Sequence, residues 1–353
     1  MAIPARCARE KAKSNQAQRN GSVAHVKITV IGSARHGGRA KFFVKALREL
    51  DQTVQLVDSD TIDDRLRGLD YLAFVNRGWQ LPLSRIEECK DADVILVIHH
   101  ARSYVNDTKA LVAFWHCEPY FSPSITPDLL LAADTNVSGH WLQWWRRDFA
   151  QVTRTVLFPF ACPDLSDVLA KREVIRSNGF NMLANLQFES KDSNQSSYFE
   201  RHALRKRQHV ARDLGSWIIE HKYPMDWEDY IRELAECARV LIVPGGGCQF
   251  NQQFSECMSL GIMPDVYIEE HQQMAGYEKI GLRAGLHFSV LDDLLIEAIH
   301  DGCGPARGKW DPDTILKFAK ANSYRVRALE FLKEIEITER MKTENERFAE
   351  AIK

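Results

Sequence analysis

Residues 230–270 read YIRELAECARVLIVPGGGCQFNQQFSECMSLGIMPDVYIEE. Ile231, Leu234 and Ala235 recur at helical spacing and lead into an apolar run, RVLIVP, at 239–244. Gly245, Gly246 and Gly247 follow, then a helical stretch at 250–261 that carries one carboxylate, Glu256, and ends at a glycine. A further strand, DVYIEE, occupies 265–270. Glycines let backbone amides approach an anion closely. The helix start adds free N–H groups and a positive dipole end. A phosphate or diphosphate suits such a turn, although a plain tight turn would use the same glycines. Neither a GxxxxGK[ST] nor a GxGxxG pattern is present.

Within that helix Phe254, Cys257, Met258 and Leu260 can supply the apolar face, which directs Glu256 elsewhere, about one turn in from the start. A carboxylate there can accept two hydrogen bonds from a vicinal diol such as a ribose. The alternative is a solvated glutamate favoured by the helix dipole.

Working outward, the chain alternates strand and helix patterns. VKITVI at 26–31 reads as a buried strand, GSARHGG at 32–38 as a loop, 39–50 as an amphipathic helix and VQLV at 54–57 as the next strand. Apolar runs at 91–98, 110–115, 129–133 and 155–160 continue a parallel α/β pattern. HWLQWWRRDF at 140–149 reads as a helix with inward tryptophans. The proline-punctuated stretch at 159–179 breaks the pattern. A second α/β unit opens at 180–186, and the chain closes in a charged helical region from about 312. The expected division is a flexible basic tail at 1–24, a Rossmann-like domain at 25–160, a linker at 161–178, a second Rossmann-like domain at 179–311, and helices at 312–353 packing back on the first domain. In open parallel sheets, ligands bind at the carboxyl ends of the strands. Residues 32–38 and 244–248 both lie at such ends.

Composition bounds the function. With 353 residues the chain is long enough for two cores. A net charge of -2 gives no overall attraction to nucleic acid or anionic membrane. Eight cysteines, at 7, 89, 117, 162, 237, 248, 257 and 303, form no CxxC pair, and the expected reading is free thiols in a reducing cytoplasm. The polar N-terminus lacks the apolar run of a secretory signal, and no stretch of eighteen apolar residues predicts a membrane span.

The segment ELAECARVLIVPGGG…FSECMSLGIMPDV resembles the donor-binding segment of GT-B glycosyltransferases. EHKYPMDWEDYI, upstream, is similar to the loop and helix that contact the nucleotide base in that group. TVLFPFACPDL resembles its interdomain link, and FAKANSYRVRALEFLKEI resembles the closing helix of the CgeB-like (spore-maturation) members. The resemblance spans residues 155–335 and includes the group 1 C-terminal domain pattern. It implies two Rossmann-like parallel-sheet domains with a closing C-terminal helix, and transfer of a sugar from a nucleotide-diphosphate sugar to an acceptor hydroxyl in the cleft. Glu256 would then hold the donor ribose, and Gly245, Gly246, Gly247, Asn251 and Gln252 the diphosphate. Arg201, Arg205, Lys206, Arg207 or Lys191 would supply the cation that stabilises the leaving group. The remaining basic residues would form a solvated face.

His36, beside Arg35, and Glu118, beside His116, follow strands and are the candidate acceptor-side catalytic groups; an idle loop histidine and a structural turn at Pro119 are the alternatives. His99, His100, His116 and Cys117 lack metal-ligand spacing, and the resemblance implies neither metal nor cofactor. With no clear inverting base, retention is favoured. The acceptor would be a saccharide, a protein or a lipid headgroup, with DNA less favoured. Three positions depart from the family pattern: Cys248 stands where many retaining members have an acid, Gln253 where relatives often have arginine, and Asp265 where a valine follows the proline. Two other functions fit the same scaffold: a nucleotide-sugar epimerase, and a catalytically silent nucleotide-binding protein.

Overall fold

The computed structural model describes residues 25–34, 38–59, 61–62, 80–98, 103–117, 125–133, 152–175, 180–183, 198–214, 218–220, 226–243, 252–267, 289–291 and 312–352. The predicted helix at 140–149 lies outside them.

The first sheet contains β1 (Lys27–Gly32), β2 (Thr53–Asp58), β4 (Val94–Ile98), β6 (Leu111–His116), β7 (Leu129–Ala132) and β8 (Arg154–Leu157) in the order β2-β1-β4-β6-β7-β8. Every neighbouring pair is parallel, with Val30 opposite Leu56 on one side and Leu96 on the other. Both faces of such a sheet are covered, so its inner strands read as unbroken apolar runs. β4 (VILVI) and β6 (LVAFWH) are buried at every position. Alternate residues serve opposite layers. Ile28, Val30, Leu96 and Trp115 join one core with Phe43 and Leu47 of α1 (Arg39–Arg48). Ile31, Val57, Ile95 and Phe114 join another, capped by Leu81 of β3 (Gln80–Pro82) and Tyr104 of β5 (Ser103–Val105), which pair in parallel.

Gly32 ends β1 where a Cβ would stand 3.0 Å from Ala40 Cβ and 3.4 Å from Ile98 Cβ. The absent side chain is what lets the start of α1 approach the sheet.

Beyond the short helix α2 (Ser166–Leu169), β9 (Phe180–Met182) pairs in parallel with β10 (Ile218–Glu220). β11 (Leu241–Ile242), β12 (Asp265–Tyr267) and β13 (Ser289–Leu291) form a second parallel group. A parallel bridge between Asn181 and Val240 joins the two, and buried Asn181 also donates its side-chain amide to the Arg239 carbonyl at 2.8 Å. Around these strands lie α3 (Tyr198–Leu214), α4 (Trp227–Ala235), α5 (Gln252–Ser259) and α6 (Pro312–Ala321). α4, α5 and α6 share a core with Ile231, Leu234, Phe254, Met258, Ile315 and Phe318. α5 terminates at Gly261, whose φ of +67° suits glycine, and Ile262 N–H closes back on the Cys257 carbonyl at 2.9 Å.

The chain passes between the cores twice, at neighbouring points. Ala161 belongs to the first core and Cys162 to that of the second group. Cys162 N–H donates to the Asn322 carbonyl at 2.9 Å and bridges Ser323 in parallel. There α6 ends, and α7 (Tyr324–Ile352) returns to the first core with Tyr324, Ala328, Phe331, Leu332 and Ile335. Each large apolar side chain so buried contributes roughly 2 kcal/mol. Arg327, almost wholly buried, fastens the crossing by donating to the Pro159 carbonyl at 3.2 Å and to Asn322 Oδ1 at 2.8 Å. Among the described residues no helix is long and apolar enough to cross a membrane. Cys89, Cys117, Cys162, Cys237 and Cys257 are buried thiols in no disulfide.

Candidate functional site

The carboxyl ends of β9 and β11 face the start of α5, and side chains from several elements converge there. Gln253 Nε2 donates to the carbonyl of Leu183, just past β9, at 3.4 Å. Arg207 of α3 donates through Nε to the carbonyl of Val243, just past β11, at 3.3 Å. Arg207 is half-buried, whereas Arg205 is exposed. This places one of the predicted cations beside the strand end from which residues 244–251 depart. Arg201 sits in α3 with its side chain outside the described residues, as does that of Lys206; Lys191, Gly245, Gly246, Gly247, Cys248 and Asn251 also lie outside them.

Glu256 is not a solvated glutamate. It is 2% exposed, and every residue of α5 from Phe254 to Ser259 is buried, so the helix has no open face over that span. Its carboxylate oxygen Oε1 accepts the indole N–H of Trp227 at 3.2 Å and the Gln252 amide at 2.9 Å. Tyr230, one turn along α4, also hydrogen-bonds to it. Burial pushes the carboxyl up to about 6; the Trp227, Gln252 and Tyr230 bonds and the positive charge of Arg39 oppose the rise. The group is therefore ionised at neutral pH and titrates just below it.

Gln252 has a second partner. Its Oε1 accepts from Arg39 Nε at 3.0 Å, across 213 positions of sequence. Arg39 is the first residue of α1, and its guanidinium lies 4.5 Å from the centre of the Phe160 ring. One turn further, Phe42 packs against Trp227 and Tyr324, with ring centres 5.4 Å apart in each case. The start of α1, which follows the 32–38 loop, thus meets the Glu256 cluster directly. Burial pushes the Tyr324 phenol up, keeping it protonated.

Sequence reasoning missed Arg39, Trp227 and Tyr230 as site residues. Arg39 did leave a signal. α1 has no acid in its first turn and begins with a cation, the charge that the helix dipole disfavours there.

Asp265, one of the departures from the family pattern, has a charged partner. Its carboxylate is 8% exposed and accepts from Arg239 Nε at 3.1 Å. The acid in place of a valine is matched by a basic partner on the adjoining strand segment and belongs to the packing of β12.

His36 and Glu118 lie outside the described residues. The structure gives their stems: Ala34 N–H donates to Asp58 Oδ1 at 3.1 Å just past β1, and Cys117 follows the end of β6. His116 is buried, in edge-to-face contact with Phe114, so it is a packed strand residue.

No protein-family model matches the chain, and no curated protein does. Solved structures do. The α,α-trehalose 6-phosphate synthase of Burkholderia multivorans superposes with a TM-score of 0.51 at 11% identity, over 92% of this chain and 99% of that one. A trehalose-6-phosphate synthase studied with bisubstrate glycomimetics, in work on glycosyl transfer with retention, gives 0.50 at 11% identity over 88% and 99%. The fold is that of the GT-B glycosyltransferases, an α/β architecture with Rossmann-like parallel sheets. The resemblance to the CgeB-like members stays with the sequence motifs.

Proposed function

We propose that this protein is a glycosyltransferase that uses a nucleotide-diphosphate sugar. The observation that carries the reading is Glu256: a carboxylate buried one turn into the helix after β11, fixed by Trp227, Gln252 and Tyr230. Holding a charge in so dry a place is costly, and four separate groups are arranged around it. A ribose diol entering from the strand ends would donate to that carboxylate. Residues 244–251 and the first amides of α5 would receive the diphosphate.

The acceptor hydroxyl oxygen then bonds to the anomeric carbon as the bond from that carbon to the diphosphate oxygen breaks. The leaving nucleoside diphosphate takes the electron pair, and the acceptor proton passes to it or to an acceptor-side base. Arg207 offers the positive charge for the leaving group, which is why this reading invokes no metal. His36 and Glu118 are the acceptor-side candidates. Retention is the stereochemistry we assign, the same outcome that the bisubstrate work on trehalose-6-phosphate synthase addresses for that enzyme. Acceptors in this reading are a saccharide, a protein or a lipid headgroup, and the site of action is the cytoplasm.

The test is a thermal-shift screen with UDP, GDP and ADP, followed by transfer assays with the matching labelled nucleotide sugars. The expected result is a raised midpoint with at least one diphosphate and sugar transferred to an added acceptor. Binding without turnover of any donor would favour the silent nucleotide-binding protein, a reading motivated by Cys248, which stands where many retaining members have an acid, and by Gln253, a neutral amide where relatives often have arginine. An isomerised donor would favour the epimerase.

A further inference from the structure

We infer that Arg39 is a positioning residue for the Glu256 carboxylate, acting from the first core on the donor helix through the side-chain amide of Gln252. The inference rests on the donor-site reading for its biological meaning, but its physical content is independent of it.

A glutamine amide can face either way, because its oxygen and nitrogen differ little in size. Here the choice is fixed. An arginine has donors only, so the atom of Gln252 that faces Arg39 Nε at 3.0 Å must be the oxygen. The NH2 group is thereby turned to the other side, where Glu256 Oε1 accepts it at 2.9 Å. The ionised carboxylate, an acceptor only, demands the same orientation, so the amide is held from both ends. Arg39 therefore anchors Gln252 in a relay that runs guanidinium, amide, carboxylate, and without the guanidinium the amide oxygen loses the partner that fixes where the NH2 group stands.

Arg39 is itself held in place. Its guanidinium stacks over Phe160, next to the chain crossing, and Phe42 on the same face of α1 packs on Trp227, the other donor to Glu256 Oε1. The Trp227 and Gln252 bonds to Glu256 Oε1 are thus both supported by the first turn of α1. Among the described residues the ionisable neighbours of Glu256 are few: Tyr230 of α4, Arg39 of α1, Tyr324 of α7 and Cys257 of its own helix. Of these only Arg39 is charged at neutral pH, since burial pushes both the Tyr324 phenol and the Cys257 thiol up.

The experiment uses the full chain with 13C-labelled glutamate side chains, and follows the Glu256 carboxyl by NMR from pH 4.5 to 8, assigned with Glu256→Gln. Arg39→Met should move its titration upward by half a unit or more and displace the Trp227 indole N–H resonance. Arg39→Lys, which can still donate to Gln252 Oε1, should restore most of both. Gln252→Ala should reproduce the Arg39→Met effect, and the double variant should be little worse than either single one, because both cut the same relay. Additive effects, or an unmoved Glu256 titration in folded Arg39→Met, overturn the inference. UDP, GDP and ADP affinities of the same variants form the second arm. In that arm Arg39→Met should weaken the best ligand about tenfold at pH 7. An unchanged affinity despite a shifted titration removes the positioning role in binding. If no diphosphate binds the unmodified protein while the titration still shifts, the relay stands and the donor-site reading falls.

Discussion

Trp227 and Glu256, 29 positions apart, are joined by an indole N–H donated to Oε1 at 3.2 Å. The bond ties the start of α4 to a point one turn into α5 and leaves the carboxylate buried among side chains from both cores. Its consequences can be measured.

Glu256→Gln should separate stability from binding. The carboxyl titrates at 4.5 when unfolded and at about 6 when folded, raised first by burial. A raised carboxyl stabilises the fold below pH 4.5, and that contribution is lost as pH rises through 6. At pH 7.5 the ionised form therefore costs roughly 2 kcal/mol, which an uncharged isostere avoids. The variant should melt a few degrees higher than the parent at pH 7.5, with the gap closing toward pH 5. Nucleoside-diphosphate affinity should fall at least tenfold. A variant that melts lower at pH 7.5 would falsify this account of the buried charge.

Arg207→Ala and Arg205→Ala should behave differently, although the two residues are one helical half-turn apart. Arg207 is tied to the Val243 carbonyl, whereas Arg205 is exposed. Calorimetry with the best-binding diphosphate should show a loss of about tenfold or more for the first, of the order of a charge-assisted contact, and within twofold for the second. Equal losses would return Arg207 to the solvated basic face.

The Asp265–Arg239 pair predicts a rescue. Asp265→Val alone strands a mostly buried guanidinium and should cost about 3 kcal/mol or more. Adding Arg239→Met should recover most of that loss in urea melts. If the double variant is no better than the single one, the pair is not what accommodates the acid.

Gly261→Ala tests the end of α5. A Cβ there would meet Leu316 no closer than 3.7 Å, so space is available and only the φ of +67° penalises it. The expected cost is about 1 kcal/mol. A neutral substitution would mean that α5 can end by another turn.

The strands were legible because the first sheet is covered on both faces. Residues 94–98 and 111–116 carry runs that no surface element would. The glycine ending α5 was legible too. The site was only partly so. Glu256 stood out as the one carboxylate of its helix, but its burial depends on Trp227, Tyr230 and Arg39, which come from other elements. Local periodicity cannot report a contact 213 positions distant. The partner of Asp265 was hidden for the same reason: Arg239 lies 26 residues earlier, and the parallel pairing of β11 and β12 brings the two together.

The paired crossings at Cys162 and Ser323 also order events in time. Six strands and α1 of the first core are synthesised by residue 161, yet α7, which covers them with Phe331 and Ile335, follows the whole second core in the chain. On the ribosome, the face of that sheet intended for α7 waits uncovered while the whole second core emerges. The first core is thus completed only after the second has been made, and its uncovered face is the aggregation-prone surface of the growing chain.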